Sequence, residues 1–176
     1  MKTIALYALR ELHLPILERV FGALTKTLPH AKIVLTAPEF LMGTSDWPEE
    51  GLQTISKSKW TQMGVPFVNT SSGSRFDLVI TADACYDRVD GWGPVICVGH
   101  GTISKNIFFI DEPSCRRENY ADVLCVPGPW YQNCFGDFVH TKIEPTGFPK
   151  LDALVEDHRP HTQSLIDKLK WQHKKI

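Results

Sequence analysis

One short segment of the chain combines residue types that could perform chemistry on a phosphate-bearing ligand. It reads Gly99, His100, Gly101, Thr102, Ile103, Ser104 and Lys105. Flanking glycines permit a sharp turn and a close ligand approach, and an imidazole titrates near neutral pH, which suits a general base. Thr102 or Ser104 can cap a helix whose free N–H groups face an anion, and Lys105 supplies positive charge. The alternative is a turn histidine beside a capped helix.

Three further positions follow predicted strands and are candidates for the same site. His13 precedes the first helix and could meet an anion at its N-terminus, although an exposed loop histidine fits equally well. Asp83 could bind a ligand hydroxyl, but an aspartate after a strand is more often a helix cap, which we favour. Gly128 lies in a rigid turn that carries Trp130 and Tyr131, for which packing is the commoner role.

Several common sites are not indicated. No GxGxxG motif follows the first apolar run, and no GxxxxGK[ST] motif occurs, so the usual dinucleotide and P-loop sites lack their signatures. His158 and His161 have no further ligands nearby in the sequence, which argues against a metal site. We therefore predict neither a metal nor a cofactor.

Apolar runs alternate with stretches of helical periodicity along the chain. The predicted strands and helices show where the candidate residues lie in the fold. The predicted strands are 3–8, 31–37, 65–69, 76–81, 95–98, 121–126 and 143–146, and the predicted helices are 15–27, 51–63, 130–138 and 161–174. Continuous apolar strands separated by helices predict a Rossmann-like α/β fold, a parallel sheet with helices on both faces. Ligands of such sheets bind at the carboxyl ends of the strands, where the candidate residues stand.

Composition narrows the class of protein. With 176 residues, 43% hydrophobic and 22% charged, the chain is too apolar to be disordered and long enough for a domain. A net charge of −1 argues against a broad nucleic-acid interface. Five cysteines without a CxxC pair, and no long apolar run, predict a reducing cytoplasm without a signal peptide or membrane span. The lysines at 168, 170, 174 and 175 predict a solvated helix face, with membrane-surface attraction as the minor alternative.

The order of short motifs over residues 93–154 resembles the CDP-glycerol glycerophosphotransferase family, which is related to the teichoic-acid polymerases. The matching residues are His100-Gly101-Thr102, Lys105, Tyr120-Ala121-Asp122, Pro127-Gly128 and Gly147-Phe148-Pro149-Lys150-Leu151-Asp152. The first 90 residues agree with the family only in their βα pattern. HGT followed at this separation by GFPKxD is a moderately specific combination.

The resemblance implies a two-domain GT-B enzyme that transfers glycerol phosphate, or a related polyol phosphate, from a CDP-activated donor. The acceptor would be a hydroxyl of a cell-envelope polymer or a lipid-linked glycan, which implies cytoplasmic work with peripheral contact at the inner membrane face. His100 would be the base that deprotonates that hydroxyl. The substrate-binding residues would be His13, Gly99, Gly101, Thr102, Ser104, Lys105 and Gly128.

The family's donor site and a second essential histidine belong to a C-terminal Rossmann domain. We therefore expect residues 1–155 to be the N-terminal, acceptor-side domain and residues 156–176 to be a linker and terminal helix leading toward the donor domain. Such a chain alone should bind CDP donors poorly and turn over little. Two other classes stay open: half of another GT-B glycosyltransferase or nucleotide-sugar 2-epimerase, and a non-catalytic Rossmann-like binding module.

Overall fold

A computed structural model of the chain describes residues 1–37, 62–70, 73–83, 89–99, 121–132 and 141–149. Six β-strands are present in these ranges: β1 (Thr3–Tyr7), β2 (Lys32–Thr36), β3 (Leu78–Thr81), β4 (Val95–Cys97), β5 (Val123–Val126) and β6 (Lys142–Pro145). A 3₁₀ turn (Glu11–His13) leads into helix α1 (Leu14–Thr27), and helix α2 (Pro129–Gln132) follows β5.

All six strands belong to one parallel sheet in the order β2-β1-β3-β4-β5-β6. In the register of its centre, Leu6 of β1 is paired with Leu35 of β2 on one side and with Ile80 of β3 on the other. The predicted Rossmann-like α/β fold is thereby confirmed. Each predicted strand is recovered within two residues at either end, except the third.

The third predicted strand, Val65–Asn69, is reduced to a single bridge. Phe67 forms one parallel bridge with Leu35 of β2. Leu35 donates its backbone N–H to the Pro66 carbonyl at 2.8 Å, and Val68 donates to the Leu35 carbonyl at 2.9 Å. Pro66 has no N–H to continue a ladder, so this segment lies along β2 without forming a full strand.

Helix α1 covers one face of the sheet. Its apolar side chains recur at helical spacing, and Pro15 occupies the first turn, where its missing N–H costs nothing. Leu14, Ile16 and Leu17 are buried in a cluster with alternate residues of β1, β2 and β3. The helix begins one residue before the predicted start and ends where predicted, with the Leu28 N–H donating to the Leu24 carbonyl at 2.8 Å.

The other face of the sheet buries the remaining alternate residues. Tyr7 and Val79 are buried there with Val89 and Trp92, which lie on the connection between β3 and β4. The Trp92 ring meets the Tyr7 ring edge-on at a centroid distance of 5.6 Å. Such edge-to-face pairs add to the free energy gained from burial alone.

Two aspartates tie neighbouring strands together at the amino edge of the sheet. Asp77, directly before β3, accepts a hydrogen bond from the Thr3 backbone N–H of β1 at 2.7 Å. Asp122, directly before β5, accepts one from the Val95 backbone N–H of β4, also at 2.7 Å. Asp122 belongs to the Tyr-Ala-Asp motif of the sequence, and its contact is with a neighbouring strand.

Several predicted elements lie outside the described residues. They include residues 51–61 of the second predicted helix, residues 133–138 of the third, and the linker and terminal helix of 156–176 with its lysines and with His158 and His161. In the part of the chain that the structure does describe, no helix has the length and apolarity that crossing a bilayer requires.

Candidate functional site

The candidate site lies at the carboxyl edge of the sheet, where three of the predicted residues follow strand ends. The structure describes His13, Gly99 and Gly128 of the predicted set, and each follows a different strand on this edge. The others fall outside the described residues; they are His100, Gly101, Thr102, Ser104 and Lys105. Strands of a sheet lie about 4.8 Å apart, so the ends of β1 and β5 are separated by three spacings, or roughly 14 Å.

The strand order creates a crevice between β1 and β3. From β1 the chain moves outward to β2 and the Phe67 bridge, and then returns to place β3 on the opposite side of β1. The connections leaving β1 and β3 therefore diverge to opposite sides at their carboxyl ends. A topological switch point of this kind is where open α/β sheets bind their ligands.

His13 stands at one side of this crevice and is fully buried. Its backbone N–H donates to the Arg10 carbonyl at 3.0 Å, and its Nδ1 accepts the Arg10 backbone N–H at 3.3 Å. A ring nitrogen that accepts a hydrogen bond carries no proton, so neutral His13 bears its proton on Nε2. Burial contradicts the alternative of an exposed loop histidine.

Asp83 stands at the other side of the crevice, two residues after β3. Its Oδ2 lies 3.6 Å from Nε2 of His13, and 28% of its side chain is exposed. That distance is longer than a direct hydrogen bond, which spans about 2.7–3.2 Å. The proton-bearing nitrogen of His13 nevertheless faces the carboxylate. The crevice thus holds a His–Asp pair whose histidine is enclosed and whose carboxylate reaches solvent.

The sequence did not predict this pair. Both residues were recognised separately as following strands, but their proximity depends on β3 lying beside β1, which strand patterns alone do not specify. The switch-point rule for doubly wound sheets was the signal that could have found it, since it selects the residues after the first strand and after the strand across the crevice.

Gly99 follows β4, the strand next to β3, by two residues. The Val98 N–H still donates to the Thr81 carbonyl at 2.8 Å, so the ladder extends one residue beyond β4. Gly99 then adopts φ +71°, in the left-handed region where side chains with a Cβ are disfavoured. The glycine directly before His100 therefore has a backbone conformation that favours glycine.

The turn after β5 exposes one of its two aromatic rings. Gly128 accepts a hydrogen bond from the Tyr131 N–H at 3.0 Å, which closes the first turn of α2. Tyr131 packs against the buried cluster that contains Tyr7 and Trp92, as predicted. Trp130 is 68% exposed, and its ring meets that of Tyr131 edge-on at 5.1 Å. Packing therefore accounts for Tyr131 and not for Trp130.

The Gly147-Phe148-Pro149 part of the last motif lies on the same edge, after β6. Gly147 has φ +87°, and Phe148 is buried. The Thr146 N–H donates to the Val126 carbonyl at 3.1 Å, which holds this turn against the end of β5. Gly147 thus supplies a left-handed backbone conformation directly before the buried phenylalanine.

The thiol of Cys125, on β5, lies near the base of this turn. Burial raises the pKa of Cys125, the hydrogen bond with Thr146 opposes that shift, and the negative charge of Glu144 adds to it. A thiol with a raised pKa is a poor nucleophile at neutral pH. The raised pKa therefore argues against Cys125 as a nucleophile of the candidate site.

No group of three or more His, Cys, Asp or Glu side chains that could hold a metal ion occurs among the residues described here. At this edge, the Asp83 carboxylate and the His13 imidazole offer hydrogen bonding and charge. Comparison of the chain with protein-family models, curated proteins and solved structures finds no match to any of them.

Proposed function

We propose that this chain is the acceptor-side half of a GT-B transferase that moves glycerol phosphate, or a related polyol phosphate, from a CDP-activated donor to a hydroxyl acceptor. The acceptor is a cell-envelope polymer such as a teichoic acid or a lipid-linked glycan. The donor is held by the second Rossmann-like domain that this architecture requires. Such an enzyme works in the cytoplasm, at the inner face of the membrane that carries its acceptor.

One observation carries the proposal: described residues within or directly before three separate sequence motifs lie on the same edge of the sheet. Gly99, before the His-Gly-Thr motif, follows β4; Gly128 follows β5; and Gly147 follows β6. These strands are consecutive neighbours and parallel. Motifs that serve one site need this placement, because ligands of α/β sheets bind at the carboxyl ends of the strands.

The conformations at two of these positions add support. Gly99 and Gly147 both have positive φ, at +71° and +87°, which allows the chain to turn directly at the strand end. The residue after Gly99 is His100. The proposal needs this histidine to reach the acceptor hydroxyl, as a general base must.

In the proposed reaction, His100 takes the proton of the acceptor hydroxyl as its oxygen attacks the glycerol-bearing phosphorus of CDP-glycerol. An oxygen–phosphorus bond forms, the pyrophosphate bond of the donor breaks, and CMP leaves. Phosphoryl transfer depends mainly on positioning and charge stabilisation. Lys105 supplies positive charge for the developing phosphate in this mechanism, and no covalent enzyme intermediate is required.

The test is donor specificity, measured on the full-length gene product with a glycerol-phosphate-primed acceptor. We expect label to pass from CDP-[¹⁴C]glycerol to the acceptor, with release of CMP, and no label to pass from UDP-glucose. Transfer from a UDP-sugar instead would assign the chain to a glycosyltransferase. A protein that binds a polyol acceptor but transfers nothing from either donor would instead be a binding module.

A further inference from the structure

Asp83 differs from the other aspartates that flank strands in the described part of the chain. Asp77 and Asp122 lie at the amino edge, and each accepts a backbone hydrogen bond from a neighbouring strand at 2.7 Å. Asp83 lies at the opposite, ligand-binding edge. Its carboxylate faces the side chain of His13 at 3.6 Å and remains 28% exposed. The aspartates of the amino edge thus join strands, whereas Asp83 lies in the crevice of the switch point.

This arrangement changes the ligand expected at the first helix. His13 is the N-cap residue of α1, and an anion was the expected ligand of that helix N-terminus. His13 is fully buried, however, and its Nδ1 accepts the Arg10 N–H. The Asp83 carboxylate already places negative charge beside it. A phosphate would be repelled at this position, since like charges at close range are unfavourable.

A hydroxyl group fits the same position. A carboxylate accepts hydrogen bonds through two oxygens, with about four lone-pair directions, so Oδ2 can face His13 while the exposed part of the group accepts a ligand O–H. Hydrogen bonds to a charged acceptor are shorter and stronger than those between neutral groups. The strand next to β3 is β4, whose end leads through Gly99 to His100.

We infer that Asp83 binds a hydroxyl of the polyol acceptor at the mouth of the β1–β3 crevice, and that His13 is a positioning residue that holds the Asp83 carboxylate. The inference rests on the proposed function, because it assigns the acceptor to this side of the site. It places the phosphate of the reaction away from α1, toward the end of β4.

The test is an NMR titration of the ¹⁵N-labelled 176-residue chain with ribitol, and separately with inorganic phosphate. Ribitol should shift the backbone amides of residues 10–14 and 82–83 in a saturable way, whereas phosphate should not. Asp83→Ala should raise the Kd for ribitol about tenfold or more, as expected for loss of a charged hydrogen-bond acceptor. Asp83→Asn, which keeps the shape and one acceptor oxygen, should give a smaller rise.

Asp90→Asn is the matched control, since Asp90 is an exposed turn residue on the same connection. It should leave the ribitol Kd unchanged. Saturable ribitol binding with equal Kd in wild type, Asp83→Ala and Asp90→Asn would overturn the inference. So would phosphate binding at residues 10–14.

The positioning role of His13 needs its own variants. The side-chain amide of His13→Gln can donate toward Asp83 from near the Nε2 position, whereas His13→Leu cannot. We expect His13→Gln to keep the ribitol Kd within about threefold and His13→Leu to match Asp83→Ala. If His13→Gln and His13→Leu both keep the wild-type amide spectrum elsewhere but raise the ribitol Kd equally, that result would contradict the positioning role.

The outcomes separate this inference from the proposed function. Ribitol binding that depends on Asp83, in a protein that transfers nothing from CDP-glycerol, would overturn the proposed function and leave the polyol site. Transfer from CDP-glycerol with ribitol binding that is independent of Asp83 would overturn the polyol site and leave the proposed function.

Discussion

The backbone of Gly93 passes so close to the carbonyl oxygen of Phe76 that a Cβ at position 93 would overlap it. The Phe76 N–H donates to the Trp92 carbonyl at 2.7 Å, so the two segments are held together next to the overlap. Gly93 also has φ +150°, which side chains with a Cβ rarely adopt. This contact fixes the turn that leads into β4, the strand that precedes His100.

Gly93→Ala should therefore destabilise the protein. Backbone strain and the overlap with Phe76 together should cost at least about 2 kcal/mol, because neither backbone can move without breaking their hydrogen bond. For a chain of this size, that loss lowers the Tm by roughly 4–8 °C in thermal unfolding followed by circular dichroism.

Gly22→Ala is the control for Gly93→Ala. Gly22 lies inside α1 with open space around it, so alanine should stabilise the helix by about 0.5–1 kcal/mol. Equal Tm values for the two alanine variants would contradict the close approach of Gly93 to Phe76.

Two tryptophans should contribute very differently to stability. Trp92 is 5% exposed and contacts the rings of Tyr7 and Phe76, so Trp92→Ala should cost about 3–5 kcal/mol. Trp130 is 68% exposed, so Trp130→Ala should stay within about 0.5 kcal/mol of wild type. Urea unfolding followed by circular dichroism measures the free energy of unfolding of both variants. Similar losses of free energy in the two would contradict the burial of Trp92.

Alkylation of Cys125 should require alkaline pH. Burial and the charge of Glu144 raise the pKa of this thiol, with the Thr146 hydrogen bond opposing them. The rate of reaction with iodoacetamide, followed by mass spectrometry of the Cys125 peptide, should be half-maximal above the about pH 8.5 of an ordinary thiol. The folded protein holds this proton more tightly than the unfolded chain. The free energy of unfolding should therefore fall as the pH rises from the pKa of the unfolded thiol to that of the folded one.

Glu144→Gln tests the cause of this shift. It should move the alkylation profile toward lower pH by removing one of the groups that raise the pKa of Cys125. Glu18→Gln, on α1, should leave the profile unchanged. A Cys125 profile centred at or below that of a free thiol would be inconsistent with burial of the side chain.

Most of the sheet could be predicted from the sequence because β1, β2 and β3 are buried at every position except the first. Runs such as Thr3–Tyr7 and Leu78–Thr81 have no polar alternation, which is the pattern of a covered parallel sheet. The segment 65–69 has a similar composition, but Pro66 lacks the N–H that a ladder needs. Only one bridge, at Phe67, forms there. An apolar run alone therefore does not distinguish a full strand from a segment in which a proline interrupts the ladder.

The candidate site could be predicted only in part. The rule that ligands bind at the carboxyl ends of parallel strands selected His13, Asp83 and Gly128 from their positions after apolar runs. The contact between His13 and Asp83 depends on strand order, which is decided by packing across the whole sheet rather than by local pattern. The burial of His13 depends on the same packing, so a surface histidine and a buried one look alike in the sequence.

The role of His100 can be measured directly as the rate of transfer from CDP-glycerol by the full-length gene product carrying His100→Ala. Loss of a positioned proton acceptor should lower that rate by about 10²- to 10⁴-fold, while the Tm changes by no more than about 2 °C. His30→Ala is the matched control, because His30 lies in an exposed turn at the opposite edge of the sheet, and it should transfer at the wild-type rate. A folded His100→Ala protein that transfers as fast as His30→Ala would contradict the assignment of His100 as the general base.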